Sequence, residues 1–169
     1  MESDTSGSVT VFTIGHSDHT LEELVDMLRK HGVTTLADVR SQPYSLWAPQ
    51  FNRESLQRAL QQAGVSYVYM GAALGGRPGD QALYLPGDER PDYRRLAATT
   101  EFQGGLDDLV ELAQLQVVAM MCNEGDPNKC HRALLITPEL LARGARVIHI
   151  LSDSRLEQAQ PQPKQLSLF

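Results

Sequence analysis

A single three-layer α/β domain, with a mostly parallel sheet of about five strands flanked by helices, is predicted by three observations. Short β-branched runs alternate with segments of helical apolar spacing along most of the chain. No apolar run reaches the ~20 residues of a membrane span. The 169 residues, 41% of them hydrophobic, suffice for one ordinary core but not for a second large domain. Alternating strands and helices form βαβ units, which demand parallel pairing, right-handed crossovers and helices on both faces.

Residues 1–8, MESDTSGS, are polar and read as a disordered N-terminus rather than a signal peptide, so the chain is expected in the cytoplasm. Residues 9–14 form an apolar, β-branched strand that ends at Gly15-His16-Ser17. In TLEELVDMLRKHG, Leu21, Leu24, Val25 and Leu28 recur at helical spacing, Thr20 and Glu23 make a capping box, and Gly32 ends the helix. Residues 33–39 are a second strand. After a loop with Pro43 and Pro49, NRESLQRALQQAG is a second helix, with Asn52 as N-cap and Gly64 as terminator. Residues 65–70 are a third strand. Residues 71–100 hold five of the thirteen glycines and three prolines without sustained period, the mark of a lid or binding segment. A helix over 101–115 follows, then a strand over 117–122. The apolar face of Ala133, Leu134, Leu135, Leu140 and Leu141 marks a helix that Pro138 kinks or divides, with Thr137 as a second cap. A fifth strand covers 147–151. The domain thus spans 9–153, followed by a flexible Gln- and Pro-rich linker, 154–164, and a tail, 165–169.

The net charge of −6 excludes a broad basic surface that coats nucleic acid, so any phosphate binding must be local. Twelve of the fifteen basic residues are Arg, whose planar fork suits phosphate and carboxylate, although genome composition explains the bias equally well. Two cysteines are too few for a disulfide scaffold and are expected as thiols in a reducing compartment.

In a parallel sheet every strand delivers its carboxyl end to one edge, and ligands bind outside that edge. Strand one ends in His16 and Ser17 and strand two in Asp38 and Arg40; strand three leads to LGGRP, strand four ends in Cys122 near Glu124, and strand five holds His149 and Asp153. The sharpest local signal is MCNEGDPNKCHR. Asn128 can cap a helix whose first turn holds Lys129, Cys130 and His131, and the free N–H groups there, with Arg132, make an anion site. The same field stabilises a Cys130 thiolate, with His131 as proton carrier and Glu124 to orient it or act as base. The alternatives are that Cys130 is a small buried residue closing a helix start, and Cys122 a packed thiol. A disulfide between them is a further option. No metal or other cofactor is expected: Cys122 and Cys130 with His131 or His16 offer ligands, but the eight-residue cysteine spacing fits no usual zinc pattern. Asp38 and Arg40 share a strand face, as a structural ion pair or as a substrate-binding Arg held by its Asp. Tyr44, Trp47 and Phe51 can stack on a base or pack their loop; Gly75-Gly76-Arg77 offers close backbone approach and a guanidinium. His19 and His31 read as surface positions.

Taken together, TIGHS, DVRSQPYS, YVYMGAALGGRP and CNEGDPNKCHRALL followed by GARVIHI resemble the domain-of-unknown-function 488 family from about Val11 to Leu151. The resemblance implies a compact α/β fold and one site at His16, Asp38, Arg40, Gly75, Gly76, Cys122, Glu124, Cys130, His131 and Arg132, without an established reaction. Pro138 departs from an uninterrupted helix after CHR. Separately, Gln165-Leu166-Ser167-Leu168-Phe169 resembles the pentapeptide by which bacterial polymerases and repair proteins engage the sliding clamp. Gln165 would hydrogen-bond while Leu166, Leu168 and Phe169 fill apolar clefts, unless the tail folds onto its own domain.

These readings define an enzyme acting on DNA or a nucleotide, brought to replication or repair sites by the clamp. Cys130 would be its nucleophile or polarised thiol, His131 and Glu124 its proton carriers, and Arg40, Arg77 and Arg132 its anion clamps. The alternatives are a noncatalytic clamp adaptor binding nucleic acid or protein, and a cytosolic thiol or metal enzyme for small molecules.

Overall fold

The computed structural model describes residues 9–161. Six strands form one sheet: β1 (Thr10–Gly15), β2 (Thr35–Asp38), β3 (Ser66–Tyr69), β4 (Val118–Cys122), β5 (Arg146–Ile150) and β6 (Leu156–Gln158). Their order is β3-β2-β4-β1-β5-β6, and every pairing is parallel except β5 with β6. The expected α/β class holds. β6 is a correction: it lies inside the stretch read as linker. Asp153 accepts from the Arg155 amide and side chain, and Ser154 adopts φ 72°, so the chain turns back and adds an edge strand along β5. Its three residues are exposed, so no apolar alternation betrays it in the sequence.

Strand alternation builds two cores. On one face Ile14, Leu36, Ala119, Met121 and Ile150 pack under α1 (Leu21–Lys30) and α2 (Arg53–Gln62), which contribute Leu24, Leu28, Leu56 and Leu60. On the other, Val11, Ala37, Val118, Met120 and Val147 pack under a long helix through Phe102, Leu106 and Leu109, and under the helix after CHR through Leu135, Ile136 and Leu140. The intervening segment carries α3 (Gly71–Leu74) and α4 (Tyr93–Ala97), and the long helix is α5 (Thr100–Leu115). Because neighbouring strand residues face opposite sides, β4 is buried along its whole length, as a central parallel strand must be.

The Thr20–Glu23 capping box forms as expected, with both reciprocal bonds. Asn52 precedes α2 but its side chain instead accepts from the Ser45 amide, so it braces the preceding loop. The helix after CHR is divided: residues Arg132–Ile136 make a π-helical turn, and α6 (Thr137–Ala142) follows with Pro138 in its first turn. Proline cannot donate its missing N–H to the preceding turn, and the wider turn accommodates it. Thr137 does not cap; its hydroxyl donates to the Arg132 carbonyl.

Candidate active site

The carboxyl edge of the sheet is where the loops leave β2 toward β3 and leave β4 toward β5, in opposite directions from adjacent strands. Such a switch point opens a crevice. A cleft of about 530 Å³ lies there, walled by Arg40 and Ser41 after β2, Gly76 and Arg77 after α3, Arg90 and Tyr93 before and in α4, and Cys122, Glu124, Lys129, Cys130 and His131. A larger hollow of about 620 Å³ lies between α6 and β6. It contains no cysteine, and its one histidine, His149, has Nδ1 2.7 Å from the Thr13 hydroxyl. The smaller cleft holds the cysteines and His131 and is the candidate site.

Cys122 and Cys130 come together as a disulfide pair, the further option that the sequence offered, and not as two separate thiols. The reason is local. Asp126 caps a tight turn, Pro127–Lys129, by accepting from the Asn128 amide, and the turn folds the loop back over the end of β4. Asp126, not Asn128, is the cap, and the helix begins later than expected. Cys130 itself takes the N-cap position: its carbonyl accepts from Ala133 and Leu134, and its sulfur accepts from the Arg132 amide at 3.3 Å. Cys130 is thus placed where the unpaired N–H groups of the following helix stabilise negative charge on sulfur once the pair is reduced.

His131 stands beside it. Nε2 lies 3.0 Å from the Val39 carbonyl, which can only accept, so Nε2 carries the proton and Nδ1 is left as an acceptor. Nδ1 is 3.9 Å from Cys130 Sγ. Burial pushes the His131 pKa below its ordinary value, opposed by the Val39 hydrogen bond and reinforced by Arg132, so the ring is neutral near pH 7 with Nδ1 an acceptor beside the sulfur, and the same burial weakens it as a base. Gly76 makes this placement possible: a Cβ there would meet the His131 ring at 2.8 Å. Gly76 lines the cleft and packs on His131, whereas Gly75 sits against Ser41 outside the cleft wall.

Other expected residues are placed differently. Arg40 grips Asp38 through Nε and Nη2, both at 2.8 Å, and Asp38 also accepts from the Arg40 amide and from Tyr67 at 2.6 Å. With a further bond to the Phe51 carbonyl, Arg40 is a structural partner whose charge is already compensated. Burial, then the hydrogen bond to Asp38 and its charge, push the Tyr67 phenol well above its ordinary range. His16 does not line the cleft: Nδ1 meets the Ser17 carbonyl, Nε2 the Asn123 side chain, and the ring stacks on buried Phe51 at 4.5 Å. Burial lowers its pKa, so it is a neutral core group. Arg132 is also withdrawn. It is fully buried, donates from Nη2 to the Gly125 carbonyl and holds the loop between the cysteines from beneath; burial lowers its pKa to about 10. Glu124 lines the cleft, but the Val39 carbonyl, not Glu124, orients His131.

Besides Arg40, whose charge Asp38 compensates, the cations that line the cleft are Arg77, Arg90 and Lys129, with the carboxylate of Glu124 among them. Arg90 escaped the sequence reading, and Lys129 entered it through its backbone N–H alone; in loops and tight turns only the fold decides where a side chain points. Tyr44 reaches the wall and Trp47 is exposed, while Phe51 belongs to the core. His31 is not a free surface group, since its Nε2 donates to the Ser154 carbonyl. Asp153, expected at this edge, pairs with Arg155 in the turn before β6. Among the described residues no group of three His, Cys, Asp or Glu converges as a metal site, and no helix is long and apolar enough to cross a membrane. The clamp-like pentapeptide and residues 1–8 lie outside the described residues.

The family model described as "Domain of unknown function DUF488" matches residues 20–137, a span that includes both cysteines, His131 and the cleft loops. No curated protein and no solved structure matches the chain.

Proposed function

The chain belongs to the DUF488 family, whose description assigns no reaction, and from its own site we propose that it is a cysteine-dependent enzyme acting on DNA or a nucleotide-like anion. The observation that carries this reading is Cys130 at a helix start beside the acceptor nitrogen of His131, inside a cleft with three outward-facing cations. Reduction of the disulfide adds two electrons and two protons and frees both thiols. Cys130 then passes its proton to His131 Nδ1, and the thiolate attacks an electrophilic phosphorus or base carbon. The leaving group departs with the proton from His131, and water releases the product from Cys130. Arg77, Arg90 and Lys129 neutralise the anion, and the Cys122–Cys130 disulfide re-forms by exchange with an external low-molecular-weight disulfide, which takes up the two electrons and two protons as two thiols.

The tail completes the proposal. Gln165 to Phe169 would bind the DNA polymerase sliding clamp and hold an acidic domain near DNA that it attracts poorly alone. A second reading, a thiol enzyme for a small anionic molecule, is favoured by the cleft's size, which suits one compact ligand.

The test uses the reduced full-length chain with nucleotides and single-stranded DNA, acid-quenched and mapped by mass spectrometry. The proposal expects a substrate adduct on Cys130 that Cys130→Ser abolishes. Neither adduct nor turnover on any substrate overturns it. Co-precipitation with the clamp, lost when residues 165–169 are deleted, tests recruitment separately.

A further inference from the structure

Beside the cleft, the loop after β2 presents its apolar residues to solvent. Leu46 is 96% exposed and Trp47 97%, with Tyr44 54% exposed on the cleft wall. An exposed tryptophan usually reflects either a loose loop or a partner's seat. This loop is braced. The Ser45 hydroxyl accepts from the Trp47 and Ala48 amides at 3.0 and 3.2 Å, the Ser45 amide donates to Asn52, and the Arg53 amide donates to the Pro43 carbonyl. Tyr44 is fixed through its hydroxyl to Glu54 at 3.0 Å. The bonds fix the backbone that carries Trp47 and the ring of Tyr44, so little of the turn has to be ordered when a ligand arrives.

Charge identifies the ligand. The wall that Tyr44 and Ser45 share with this turn also carries Arg77, Arg90 and Lys129, so flat aromatic surface and phosphate-seeking cations border the same opening. Duplex DNA hides its base faces, whereas a single strand offers them for stacking alongside its phosphates. We infer that Tyr44 and Trp47 form a stacking platform for single-stranded nucleic acid, whose phosphates run to Arg77, Arg90 and Lys129 at the cleft. This inference rests on the proposed DNA- or nucleotide-directed function and narrows its substrate to an unpaired strand. An anionic membrane would use the same residues, and quenching of Trp47 by anionic phospholipid vesicles but not by the single strand overturns the inference.

Trp47 is the one tryptophan in the sequence, so its emission reports this turn alone. Full-length reduced protein is titrated with an oligothymidylate of about ten nucleotides and with duplex DNA, and binding is followed in parallel by anisotropy of labelled strand. The inference expects the single strand to quench Trp47, binding to weaken with added salt, and Trp47→Ala to raise Kd about tenfold or more. Lys129→Ala should weaken binding and lessen its salt dependence. Absence of quenching by the single strand, or equal quenching by duplex, overturns it, as does unchanged affinity in Trp47→Ala. Quenching without any Cys130 adduct would retain the platform and reject the enzyme; an adduct without quenching would do the reverse.

Discussion

Asp38 shows how much this site costs to hold together. Its carboxylate is fully buried and accepts from the Arg40 amide, the Arg40 guanidinium and Tyr67, so no lone pair faces an apolar neighbour. Removing its charge leaves Arg40 buried without compensation. Asp38→Asn should therefore lower stability by about 3–5 kcal/mol, measured by urea unfolding, and Tyr67→Phe by about 1 kcal/mol. His149 sets a pH dependence. Burial, then Arg132, lower its pKa to about 4, so the folded ring resists a proton that the unfolded chain takes up near 6.5. The unfolded state binds more protons between those values, and stability falls as pH drops from about 6.5 toward 4, by about 3 kcal/mol from this residue. Buried His16 and His131 act in the same direction. Unfolding free energies across that range should rise with pH, with a shallower slope in His149→Asn; an unchanged slope would remove His149 as the cause.

At the scale of elements, the loop from β4 to the helix after CHR is shaped by its neighbours. A Cβ on Gly15 would lie 1.6 Å from the Glu124 carbonyl oxygen, so the loop crosses β1 only because that position has no side chain. Gly15→Ala should cost about 2–4 kcal/mol and displace Cys130 from Cys122, seen as a lower unfolding midpoint and slower disulfide closure. Much of this was legible beforehand. Five strands and the α1 capping box follow from β-branched runs and a local sidechain-to-backbone pattern, which depend on neighbours in sequence. β6 was not legible, because an exposed edge strand of three residues is made by pairing with β5 rather than by its own pattern. The same distinction divides the site. Cys130 and His131 adjoin in sequence and were found. That Arg132 turns beneath the loop, that His16 stacks on Phe51, and that Arg90 and Lys129 share the cleft are matters of long-range packing.

Across the whole molecule, the sheet order is what makes a site of these parts. Adjacent β2 and β4 send their connections opposite ways, and the opening between them gathers the Cys122–Cys130 pair, an oriented imidazole and, besides the paired Arg40, the cations Arg77, Arg90 and Lys129 in a chain of net charge −6. On the proposed reading the acidic remainder would limit nonspecific DNA binding, and affinity for a strand would come from the cleft and the Trp47 turn. The central claim is that His131 and the helix start activate Cys130. It is tested most directly by iodoacetamide alkylation of Cys130 at pH 7 in reduced Cys122→Ser protein. The account predicts alkylation about tenfold or more faster than free cysteine, slowed toward the free rate by His131→Asn and by Gly76→Ala. Alkylation no faster than free cysteine, or unaffected by His131→Asn in a folded protein, would contradict it.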